Sequence, residues 1–139
     1  MRISSRFLVA SIATLAMASA VNAQGSIRSG GGAYLLDSYV AYISEDDLYN
    51  SNGERLREPW QIIRQDRANV HRFGIVDADD TFDSFFDSQA NRNQLEKMLR
   101  NGSIERQAAR DIVRGGASVL VEIYGRGDTG TAVYVSVYR

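Results

Sequence analysis

The chain has 139 residues, with 16 basic and 17 acidic side chains, one histidine and no cysteine. That length suits one ordinary domain with a real core. The missing cysteines exclude disulfides, thiolate nucleophiles and thiolate metal sites, and a net charge of -1 argues against broad nucleic-acid binding.

Arg2 and Arg6 open the chain, an apolar and small-residue stretch runs from Phe7 to Val21, and Val21-Asn22-Ala23 precedes Gln24. This is the three-part pattern of a secretory signal peptide, so residues 1–23 are read as one. The apolar run is short for a membrane span and rich in Ala and Ser. The expectation is a bacterial protein, periplasmic or secreted, with no transmembrane segment in its mature form. Beyond residue 23 the chain carries one Lys, 13 Arg and 17 acids, a net charge of -3. Residues 24–32, QGSIRSGGG, have little to bury and read as a flexible N-terminal arm.

Residues 33–139 read as a single α+β domain. In 33–43 alternation places Tyr34, Leu36, Ser38, Val40 and Tyr42 on one strand face, with Leu35, Asp37, Tyr39, Ala41 and Ile43 on the other. Residues 44–58 form a loop, with or without a short hairpin, around the Asn52-Gly53 turn signal. Pro59 suits a first helical position, and 60–73 reads as a helix closed by Gly74. Asp80 can cap a second helix holding Phe82, Phe85 and Phe86 as core. A third apolar face at Leu95, Met98 and Leu99 follows a break near 88–91. Ser103 can cap a helix to about Arg114, with Ile104, Ala108 and Ile112 inward. The period then changes to two. Segments 117–124 and 131–138, joined by Gly-Arg-Gly-Asp-Thr-Gly, predict a C-terminal β-hairpin with a valine face. The expected fold is a small three-stranded, mainly antiparallel sheet with three to four helices packed on one face.

The helix at 60–73 carries the most informative pattern. With Trp60 at zero, Asp66 falls at about 240° on the wheel, inside the stripe of Ile62, Ile63, Val70 and Phe73. A carboxylate there must find donors or take up a proton. The plain reading is a structural Asp66 held by an Arg or by loop amides; the functional one is an acid or base in a cleft. Arg64, Arg67 and His71 line a polar strip on the same wheel. Two guanidiniums and an imidazole can hold a phosphate, sulfate or carboxylate, so these three are the candidate ligand-binding residues. His71, as the one histidine, is also the candidate for proton transfer near neutral pH, with Asp66 as its acidic counterpart if the protein is an enzyme.

Asp77, Asp79, Asp80, Asp83 and Asp87 form an acidic patch. Its spacing departs from a calcium loop, which needs Gly and Glu where Phe82 and Ser88 stand, so no metal site is assigned. The patch can also neutralise the Arg-rich helix before it. Tyr124, Tyr134 and Tyr138 share the hairpin face opposite the valines and are a candidate partner surface. Phosphate-binding glycine loops, dinucleotide fingerprints and GxSxG elbows are all absent, and no cofactor is expected.

The leading expectation is therefore an exported, soluble, non-catalytic protein that binds a protein partner or a small anion. One alternative is a small periplasmic hydrolase acting on a phosphoester or glycan with His71 and a carboxylate. Another is a structural component of an exported assembly.

Overall fold

A computed structural model describes residues 32–139. The proposed signal peptide and all but the last residue of the proposed arm lie outside the described residues.

Four strands form one mixed sheet: β1 (Tyr34–Ile43), β2 (Ser103–Ile104), β3 (Ala117–Arg126) and β4 (Thr129–Val137). Their order is β1-β3-β4-β2; β1 and β4 run antiparallel to β3, while β2 runs parallel to β4. Four α-helices accompany them: α1 (Pro59–Phe73), α2 (Gln89–Asn93), α3 (Leu95–Asn101) and α4 (Arg106–Arg114). Single 3-10 turns occupy Glu45–Leu48 and Phe85–Asp87.

The expected three-stranded sheet is thus corrected to a mixed four-stranded one. The added strand is the two-residue β2, where sequence had placed a helix start. Too short to show any period, it exists because of what lies beside it. Gly102 presses so closely on β4 that a Cβ there would overlap the Val133 carbonyl. Ser103 and Ile104 then pair with Tyr134 and Val135, and the Glu105 N–H donates to the Val135 carbonyl at 2.8 Å. The Glu105 carboxylate accepts from the Val137 N–H at 3.0 Å, so Ser103 caps nothing and α4 starts only at Arg106.

The hairpin forms with strands longer than expected, Arg126 pairing with Thr129 and leaving Gly127 and Asp128 at the tip. In β1 a bulge between Leu35 and Asp37 resets the alternation. Leu35 consequently pairs with Tyr124 on the outer face, while Tyr39, Ala41 and Ile43 point into the core. Val119, Val121, Ile123, Val133 and Val135 supply the rest of the sheet's buried face, against Ile62, Ile63, Leu95, Met98 and Ile112 from the helices.

Helix α1 has the expected bounds. Pro59 occupies its first turn, and Gly74 ends it at φ 66°, its N–H donating to the Asn69 carbonyl. The second expected helix does not form. Residues 77–84 instead make a strap along the free edge of β1. The Asp80 carboxylate accepts from the Tyr42 N–H at 2.8 Å, the Thr81 hydroxyl accepts from the Val40 N–H at 2.7 Å, and the Thr81 N–H donates to the Val40 carbonyl at 2.9 Å. Two side chains and one backbone N–H in this way satisfy an edge that would otherwise be open to another strand. Phe86 is wholly buried, but Phe82 is 74 % exposed, a consequence of the strap being extended where a helix was expected. No helix among the described residues is long and apolar enough to cross a membrane.

Candidate functional site

The chemistry-bearing side chains of α1 divide between two flanks. On the inner flank Arg67 is completely buried. Its Nε donates to Asp66 Oδ2 at 2.7 Å and its Nη2 to Asp66 Oδ1 at 3.2 Å, a two-pronged contact between neighbours in sequence. Its Nη1 donates to Asp83 Oδ1 at 2.8 Å. Asp80 stands 4.0 Å from Nη2. The guanidinium lies over the ring of Tyr39, 4.1 Å from its centroid, where the electron-rich face favours a cation.

His71 joins the same network. Its Nε2 donates to Asp83 Oδ1 at 2.9 Å, and its ring meets Phe82 edge-on at 5.5 Å. The other Asp83 oxygen accepts from the Phe86 N–H at 2.7 Å, which fixes the carboxylate in the turn that carries it. Asp87, on the same turn, lies 3.8 Å from His71 Nδ1 with its own side chain in solvent.

Burial governs the ionisation here. It pushes Asp66 up to about 7, although Arg67 pulls the other way by charge and hydrogen bond. Tyr39 is raised well above the ordinary phenol value, first by burial. Burial works against the charge of Arg67 too, but Tyr39 and Asp66 outweigh it and hold the guanidinium above its ordinary value.

The three residues expected to line one anion-binding strip are therefore not together. Arg67 and His71 turn inward and spend their donors on Asp66 and Asp83. The wheel placed Arg67 and His71 on a polar strip with Arg64, but the strap 77–84 and the turn after it, invisible to a single-helix projection, close over both. Asp66 does lie in the buried stripe, held by an Arg, but the carboxylate within reach of His71 is Asp83. Two members of the acidic patch, Asp80 and Asp83, face Arg67 as its neutralising partners. Among the described residues no group of three or more His, Cys, Asp or Glu side chains is placed to hold a metal ion.

The outer flank of α1 is different. Arg64 remains exposed, its Nη2 donating to Asn93 Oδ1 of α2 at 3.1 Å. Ala68 and Arg72 follow at four-residue steps, so two exposed guanidiniums flank a small residue on one ridge. Both arginines line a concavity of about 310 Å³ with Trp60, Gln61, Gln65 and Phe73, and no carboxylate side chain reaches it. Among the described residues neither Arg64 nor Arg72 makes an ion pair. Sequence reasoning missed Arg72 and assigned Trp60 no part in a site. The ladder 64–68–72 would have shown the ridge, but not the concavity, whose far wall comes from residues 50–56.

On the outer sheet face Tyr124 and Tyr134 meet edge-on at 5.4 Å and border a shallow concavity with Glu122 and Ala132. Tyr138 lies past the end of β4, exposed and about 13 Å further along the strand direction. Comparison with protein families, with curated proteins and with solved structures returns no match.

Proposed function

We propose that this is an exported, non-catalytic binding protein that takes an anionic ligand on the outer flank of α1. The observation that carries this reading is the pairing of Arg64 and Arg72 in one carboxylate-free concavity, with no acid to neutralise either. Guanidiniums are suited to carboxylate and phosphate oxygens, and a nearby indole ring supplies apolar area beside the charge. The hydrolase alternative draws less support. The His71 side chain is only 2 % exposed, with Nε2 engaged by Asp83, so its access to a substrate is poor. Export rests on the pattern in residues 1–23, and a mature N-terminus at Gln24 in the periplasmic or secreted fraction is the result expected by mass spectrometry.

Titration with inorganic phosphate, followed through the arginine Nε–Hε resonances, tests the ligand site. Arg64 and Arg72 should shift and saturate, while Arg67 stays still. Equal shifts at the remote Arg110, or none at Arg64 and Arg72, would refute the site.

A further inference from the structure

The concavity beside Arg64 and Arg72 has a neighbour. A second hollow of about 460 Å³ adjoins it across α1, and the two share a rim of Asn50, Ser51, Gln65 and Phe73. Its character is opposite. Glu45 and Asp46 line it in place of arginines, and Tyr49, Phe73 and Ile75 bring apolar surface to its walls. All three are exposed, at 39, 49 and 44 %.

Three features thus adjoin: a cationic hollow, a shared rim on which Phe73 is the apolar member beside Asn50, Ser51 and Gln65, and an acidic hollow walled also by Tyr49 and Ile75. Exposed apolar side chains clustered between charges of opposite sign mark an interaction surface better than scattered ones do. A phosphate or other small anion would use only the first hollow and leave the rim and the acids without a role. An extended chain can use all three with every second side chain, its first, third and fifth facing the surface together.

We propose that the two hollows together dock an extended segment of a partner protein, reading an acidic residue, then an apolar residue, then a basic residue. The acidic residue meets Arg64 and Arg72, the apolar one covers Phe73 and Ile75, and the basic one meets Glu45 and Asp46. The charges at the two ends fix the direction of the segment, since reversal would set like charges against each other. The acidic end of this inference rests on the anion site proposed above; the basic end does not.

Trp60 is the one tryptophan of the chain and lines the cationic hollow, so its fluorescence reports occupancy directly. The probe is a capped Glu-Gly-Leu-Gly-Lys peptide, whose first, third and fifth side chains face one way when extended. Two control peptides have lysine in place of the glutamate, or glutamate in place of the lysine. The first peptide should give a saturable change at Trp60, and both controls should bind at least fivefold more weakly. The double variant Glu45→Lys, Asp46→Lys should weaken the first peptide by a similar factor and leave phosphate bound at least as tightly. The double variant Arg64→Gln, Arg72→Gln should abolish both. Binding indifferent to the lysine end and to Glu45→Lys, Asp46→Lys would overturn the two-hollow inference and leave the anion site standing. Peptide binding that survives Arg64→Gln, Arg72→Gln would overturn the anion site itself. No response to any peptide, with phosphate still shifting Arg64 and Arg72, would overturn the inference alone. Circular dichroism of each variant separates lost binding from lost fold, and the exposed position of all four substituted side chains favours a folded variant.

Discussion

Arg67 holds its guanidinium 4.1 Å from the centre of the Tyr39 ring, and the two side chains are among the largest in the protein to be shut away from solvent. The ring closes one face of the cation while Asp66 and Asp83 take its edge. Such a charge is costly to bury alone, and the carboxylates and the ring offset that cost together. The Tyr39 hydroxyl gains nothing in return: it is buried with no hydrogen-bond partner among the described residues.

Tyr39→Phe should therefore leave stability unchanged or raise it by up to about 1 kcal/mol. It removes a desolvated hydroxyl and keeps the ring face over Arg67. Urea unfolding checks this; a loss of more than about 1 kcal/mol would mean that the hydroxyl does bond in the folded state.

Asp66 sets a pH dependence. Its folded pKa of about 7 lies above the unfolded value of about 3.9, so between these limits the folded state holds more protons. Stability from this group is full below about pH 4 and falls as pH rises through 7. Asp66→Asn cannot titrate, so the stability of the native chain relative to this variant should decline from pH 5 to pH 7 and then level off. The limiting slope is about 1.4 kcal/mol per pH unit. Asp47, raised chiefly by its own burial, adds a slope of the same sign that the variant retains. Parallel stability curves for the two proteins over pH 5–8 would contradict the assignment.

Gly102→Ala should cost about 2–3 kcal/mol, because the new methyl group meets a carbonyl of β4 that cannot rotate away. Gly53→Ala offers the contrast. Gly53 has φ 77° with open space around it, so alanine there pays only the backbone strain, about 1 kcal/mol. Equal losses for the two in denaturant unfolding would argue against the close approach that forms β2.

Much of the architecture could be read before any coordinates. The helix from Pro59 to Gly74 has proline, periodicity and glycine in agreement, and each is a local property of its own residues. The valine alternation of the hairpin is equally local, as is the Asn52-Gly53 turn. The strand β2 and the strap at 77–84 could not be read in this way. Two residues carry no period, and an extended strap rich in Asp, followed by Phe85 and Phe86, imitates a capped helix. Both elements owe their shape to hydrogen bonds offered by strands far away in sequence.

The candidate site divides along the same line. The residues of α1 by themselves determined that Asp66 would lie in an apolar stripe and that Arg64, Arg67 and His71 would share another side of the helix. Only the tertiary structure decided which arginines meet water. The strap brings Asp80 and Asp83 over Arg67 and His71 and removes them from the surface, while nothing acidic reaches Arg64 and Arg72. A helix wheel records angles around one axis, whereas burial and charge pairing depend on what other segments place against each angle.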